Sequence, residues 1–201
     1  QFTEKDYEDG CIMNKNKLAT LNFTPMWDAA NVLRAGRDIL YLHSNTGNYA
    51  GAEQLQKLLG PNFNVHIISD VYSYSHLDST IALLKPGTAL INPSRIKSKN
   101  VLPYGMRNWD LIECPEPIEM NYAGPEAMMS QWTGMNCVSL DEDTVVVQST
   151  QTNLINVLET KGFTVIPVHM RHQRSLSGGP HCCTVELERD YELEYTFDNK
   201  N

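Results

Sequence analysis

The strongest constraint on this fold is a pattern of elements that recurs three times along the chain. Two short apolar runs flank a tight turn, a helix-like run follows, and a third apolar run closes the unit. In the first copy NVLRAGRDILYLHS reads as a hairpin with Ala35-Gly36 in its turn. NYAGAEQLQKLLG then carries apolar residues near helical spacing and ends at Gly60, a good helix C-cap, and NVHIISDV is the closing strand. The second copy opens with HLDSTIALLKPGTALINP, turning at Lys85-Pro86-Gly87; a looser segment, SRIKSKNVLPYGM, replaces the helix, and DLIECP closes it. The third runs through MNCVSLDEDTVVVQST, turning at Asp141-Glu142-Asp143, then the helix-like QTNLINVLETKGF and the strand FTVIPVHM. A fourth unit is expected to open as a strand at HCCTVELERD.

Copies that start roughly 50–60 residues apart point to a propeller or array of supersecondary units, an α/β fold built of ββαβ repeats. An ordinary α+β sheet is the alternative. Three units and a beginning read as an incomplete ring, so further units are expected N-terminal to this segment. Residues 1–26 are polar and irregular and read as an arm; 27–201 read as a partial α/β propeller. A net charge of −8 with scattered cations argues against a nucleic-acid binder, which needs clustered Lys and Arg to neutralise phosphates. No apolar run reaches the roughly 18 residues of a membrane span. The acidic opening QFTEKDYEDG is unlike a secretory signal, and the absence of an initiator Met leaves processing or truncation open. Five cysteines at irregular spacing form no CxxC pair, which argues for reduced thiols in a cytoplasmic setting and against a structural zinc site.

Polar residues gather at the unit starts. Trp27-Asp28 precedes the first, His76-Leu77-Asp78 opens the second, Ser130-Gln131-Trp132 precedes the third and His181-Cys182-Cys183 opens the fourth. Around a common axis these starts would converge on one cleft. His76 and Asp78 are two apart on a predicted strand and so share a face. An isolated pair of this kind is more often structural, and a lone Asp28 is more often a turn or helix cap. Strand alternation sends Cys182 and Cys183 to opposite faces, which disfavours a chelate through both thiols, while a vicinal disulfide strains the backbone. Gly178 and Gly179 permit close backbone approach. A nucleophilic Cys with a His base and an orienting carboxylate is a known combination, but it remains one of the open readings.

The stretches WDAANVLRAGRDI, NYAGAEQLQKLLGPNFNVHIIS, HLDST…PGTALINPSR, QWTGMNCVSLDED and SLSGGPHCCTVELER, in this order, resemble the amidinotransferases of the guanidino-modifying pentein superfamily, the arginine:glycine enzymes in particular. The resemblance runs from about Lys5 to Glu194. It implies a five-bladed ββαβ propeller of which this chain matches the C-terminal three-fifths or so. By position it implies Cys182 as nucleophile, His76 as general acid/base and Asp28 as its orienting carboxylate. Asp78 would grip the substrate guanidinium, Arg95 would bind the amino-acid end of the substrate, and Ser130 would line the site. The chain departs from the pattern at Met129, where the family has a first serine, and at Asn31, where it has an aspartate. A further guanidinium-binding carboxylate belongs to the part of the family pattern that these residues do not match.

The resemblance implies transfer of an amidino group from L-arginine to an amine, glycine first, through an amidino-cysteine, with no metal or organic cofactor. An arginine deiminase-like hydrolase and a non-catalytic fragment or binding module are the alternatives. Expected partners are small-molecule substrates, with neither nucleic acid nor membrane. Strand edges left bare by absent units favour association, so a homo-oligomer is expected.

Overall fold

Each unit begins with a hairpin whose turn is built into the sequence. β1 (Val32–Ala35) and β2 (Asp38–Leu42) pair antiparallel across Gly36-Arg37, and Gly36 takes φ 64°, a region that residues with a Cβ avoid. The turn thus falls one residue later than Ala35-Gly36. β4 (Ile81–Lys85) and β5 (Thr88–Ile91) repeat the device across Pro86-Gly87, with Gly87 at φ 77°. In the third unit β7 (Val138–Ser139) meets β8 (Thr144–Gln148) over a longer acidic turn, where the Asp143 N–H donates to Asp141 Oδ1 at 2.8 Å. The structure, a computed structural model, describes residues 18, 22–120, 129–176, 178–188 and 197.

A crossover then returns the chain parallel to the hairpin's second strand. α1 (Tyr49–Leu59) leads to β3 (Asn64–Ile68), and α2 (Thr152–Thr160) leads to β9 (Thr164–Val168). Between β5 and β6 (Asp110–Glu113) no α-helix forms; two 3₁₀ turns, Lys99–Val101 and Tyr104–Asn108, fill the space. Pro103 and Gly105 in that stretch disfavour a continuous helix. The result is three separate three-stranded sheets, ordered β1-β2-β3, β4-β5-β6 and β7-β8-β9.

The middle sheet is buried on both faces. Ile81, Ala89 and Ile91 pack with Leu40, Leu42 and Ile68 of the first sheet. Ala82, Leu84 and Leu90 turn the other way, onto Val145, Val147 and the α2 residues Leu154 and Leu158. α1 covers the remaining face of the first sheet with Ala52 and Leu55 against Ile39 and Tyr41. Burial on both faces explains why β2 reads DILYL with little alternation.

Residues 22–26 lie exposed on the surface and are tied down by hydrogen bonds. Asn48, the α1 N-cap, accepts from the Gly51 N–H (2.8 Å) and from the Met26 N–H (3.0 Å), and its Nδ2 donates to Thr24 O (2.8 Å). Tyr41 Oη reaches Met26 O at 3.0 Å. Two strand expectations are corrected. Residues 69–80, which carry His76 and Asp78, form a loop and turn that end where β4 begins, and 181–183 form a turn. The alternating VELE that suggests a strand has no ladder partner among the described residues; 184–188 are exposed and irregular, and apart from 197 the residues beyond 188 lie outside the described ones.

Candidate active site

The loop over residues 69–80 is the hub of the site, and its anchor is apolar. Leu77 is fully buried in the core between the first and second sheets, and its carbonyl accepts from the Thr80 and Ile81 N–H groups at 2.8 and 2.9 Å. The Leu77 N–H donates to Ala30 O at 2.9 Å, which joins the loop to the turn that precedes β1. His76 and Asp78, on either side of this anchor, serve two adjoining clusters.

In the first cluster His76 Nε2 lies 3.5 Å from Asp28 Oδ2. Asp28 is also the N-cap of the 3₁₀ turn Ala29–Asn31: its Oδ1 accepts from the Ala30 and Asn31 N–H groups at 2.8 and 3.1 Å. Capping and pairing with His76 therefore coexist, one oxygen for each. Asn31, fully buried, returns the cap by accepting from the Asp28 N–H at 3.3 Å. Its Nδ2 donates to Ser44 Oγ at 2.8 Å and to Ser75 O at 3.0 Å, fastening the Asp28 turn to the residue before His76.

In the second cluster the Cys182 thiol donates to Asp78 Oδ2 at 3.0 Å, and His181 Nδ1 lies 3.3 Å from the same oxygen. Asn136, two residues before β7, donates through Nδ2 to Cys182 Sγ at 3.2 Å and accepts from the His181 N–H at 2.9 Å. Cys182 is thus presented by a turn, closed by the Cys183 N–H donating to Gly179 O at 3.2 Å. Cys183 is exposed, so its expected packing role is corrected: a turn does not alternate sides as a strand does.

The electrostatics follow from burial and proximity. Asp78 is 6% exposed; burial alone would raise its carboxyl, but hydrogen bonds from His181 and Cys182 and the fields of His181 and His76 outweigh it and hold it below the ordinary 3.8. Cys182 moves the other way. The residue is exposed overall, but desolvation of its sulfur beside Asp78 and Asn136, then the Asp78 charge and the hydrogen bond to it, push the thiol up to about 12, against lesser opposite effects from Gly179 and Asn136. The free site therefore holds a carboxylate facing a neutral thiol.

Two expected residues stand apart from these contacts. Arg95 is buried, and its Nη1 lies 2.7–3.1 Å from Thr80 Oγ1, Ser79 Oγ and O, and Ser73 Oγ, so it braces the loop that carries His76 and Asp78. Ser130 caps the 3₁₀ turn Gln131–Met135 by accepting from the Trp132 N–H at 3.3 Å, and makes no hydrogen bond to either cluster among the described residues. Met129 O accepts from Arg174 Nε at 3.2 Å. Asn136 and His181 lie inside the motifs GMNC and GGPHC, but an Asn before a strand and a His beside a Cys carry no chemical flag without a partner in space. Among the described residues no group of three or more His, Cys, Asp or Glu side chains is placed to hold a metal ion, and no helix is long and apolar enough to cross a membrane.

No family model matches the chain. It is 44% identical over 174 residues to inosamine-phosphate amidinotransferase 1 of Streptomyces glaucescens, covering 86% of this chain and 50% of that protein. It is 35% identical over 205 residues to the mitochondrial glycine amidinotransferase of Gallus gallus, covering 98% of this chain and 48% of that one. Among solved structures, the inosamine-phosphate amidinotransferase of Streptomyces griseus superposes with a TM-score of 0.81 at 43% identity, over 85% of this chain and 49% of that chain. The chain spans about half the length of the curated relatives it matches, less than the three-fifths that its motifs imply. Within that span it is homologous to the amidinotransferases.

Proposed function

We propose that these residues transfer an amidino group from L-arginine to an amine through a covalent intermediate on Cys182. The observation that carries this reading is the shared carboxylate: Asp78 Oδ2 accepts from the Cys182 thiol at 3.0 Å, where a guanidinium bound to Asp78 would present its carbon to the sulfur. Guanidinium N–H groups bind a carboxylate in paired charge-assisted hydrogen bonds. Binding such a cation neutralises the charge that keeps the thiol protonated and takes over the acceptor that the thiol uses, so the thiol ionises as substrate arrives.

In this reading the Cys182 proton passes to His76, held by Asp28. The thiolate attacks the guanidinium carbon, a tetrahedral adduct forms, His76 protonates the departing amine and ornithine leaves. The acceptor amine then gives a proton to His76, attacks the amidino carbon and releases the thiolate. Arg95 is assigned to the amino-acid end of the substrate and Ser130 to the wall of the site, both by position in the family's motifs. A hydrolase reading has water in place of the amine.

The relatives act, by name, on inosamine phosphate or glycine. The higher identity favours an aminocyclitol phosphate as acceptor over the glycine expected from the motifs. The test is ornithine release from arginine with glycine, with an inosamine phosphate and with neither. Release that requires an amine supports transfer, and the amine that supports it names the acceptor. Citrulline from arginine alone supports the hydrolase and overturns transfer.

A further inference from the structure

The turn that presents Cys182 rests on one buried amide. Asn136 is 1% exposed, and its two polar atoms divide the work. Oδ1 accepts from the His181 N–H at 2.9 Å and, more weakly, from the Cys182 N–H at 3.4 Å, while Nδ2 donates to Cys182 Sγ at 3.2 Å. A carboxylate could make the first pair of contacts but not the last, and an aliphatic side chain could make none. The fit is shaped from the other side as well. A Cβ on Gly179 would lie 2.5 Å from Asn136 Oδ1 and 2.7 Å from Gln173 Nε2, so only glycine lets the turn close onto the amide. Gln173 in turn donates to Thr133 O at 2.6 Å, and Thr133 O accepts from the Asn136 N–H at 3.0 Å, which fixes the backbone beneath.

We propose that Asn136 is a positioning residue for the nucleophile, clamping the main chain of the turn through Oδ1 and supporting the ionised sulfur of Cys182 through Nδ2. This inference rests on the reading of Cys182 as nucleophile. The charged group that faces the sulfur is Asp78, with His181 and His76 acting through it. Asp78 disfavours the thiolate, whereas Asn136 and the main chain at Gly179 favour it. When a guanidinium cancels the charge of Asp78, the Asn136 donation remains, with the main chain at Gly179, as the protein's own support for the anion.

The experiment is site-resolved alkylation by iodoacetamide across pH in the wild type, Asn136→Asp and Asn136→Ala, read by mass spectrometry. The Asp variant keeps the acceptor and loses the donor; the Ala variant loses both without adding charge. In each, Cys182 alkylation at pH 8 falls about tenfold, as one unit of thiol pKa requires, while Cys183 keeps its wild-type rate. The buried Cys114 and Cys137 stay unlabelled as long as the fold holds, which checks both variants internally. A wild-type pH profile for Cys182 in a folded variant overturns the inference. Parallel incubation with labelled arginine separates the two claims. An adduct on the wild type with unmoved variant profiles sinks the inference alone. Shifted profiles with no adduct on the wild type leave the clamp standing and sink transfer.

Discussion

One carboxylate oxygen, Asp78 Oδ2, accepts from the Cys182 thiol and pairs with His181, so its removal acts on the free thiol and on substrate in opposite directions. Asp78→Asn removes the charge that raises the thiol, and free Cys182 should alkylate faster at pH 8, by about tenfold for each unit its pKa falls. The same change removes the grip on a guanidinium, so amidino labelling from arginine should be lost. Faster alkylation with intact labelling would contradict the role given to Asp78. The sequence gathers Cys182, His76, Asp78 and Asp28 at the unit starts, and the fold does bring them into two adjoining clusters; the role of each comes from the family resemblance, not from residue chemistry alone. Asn136 is not legible, because its importance lies in 46 residues of chain separation being closed by the fold. Cys183 is misplaced by the sequence because strand alternation does not hold for residues that form a turn.

Among the elements, the connection between the Asp28 turn and the loop over 69–80 decides whether His76 and Asp28 meet. Asn31 is the tie, with Ser44, Ser75 and Thr46 as its partners. Asn31→Leu strands the buried Ser44 and the half-buried Ser75 and Thr46 groups and should cost about 1–3 kcal/mol of stability, read as a lowered urea midpoint. It should also reduce kcat more than substrate affinity, since the His76–Asp28 pair loosens while Asp78 stays in place. A neutral effect on both would show that the tie is dispensable. The hairpins and helices are readable because turn glycines and apolar periods coincide in them. The 3₁₀ replacement in the second unit is visible as a loose segment. The stretch from His76 reads as the start of a strand because His76-Leu77-Asp78 places polar residues on either side of an apolar one, a pattern that a turn around a buried anchor produces equally well.

For the whole molecule, two cores bind three sheets into one body, and buried thiols sit inside it. Cys114 is raised by burial and then by neighbouring Cys137; Cys137 is pushed up to about 12 by burial and then by the Asp78 charge. Both are raised on folding, so their contribution is full below the ordinary thiol value of 9.0 and drains away as pH rises from there towards the folded values. The urea midpoint should therefore fall between pH 8 and pH 10.5, and less steeply in a Cys114→Val, Cys137→Val double variant. An identical slope in that variant would rule the thiols out as its source. The three-unit architecture is legible at this scale because each unit repeats the same order of apolar runs, whereas the identity of the acceptor amine is not, since it depends on pocket shape that no motif spells out.

Cys182 is the residue proposed to carry the amidino group. Incubating the protein with guanidino-labelled arginine, quenching, and mapping the label by mass spectrometry tests it directly. The predicted result is label on Cys182, abolished by Cys182→Ala and retained in Cys183→Ala. A folded wild-type protein without label, under conditions in which a full-length amidinotransferase acquires it, contradicts the claim.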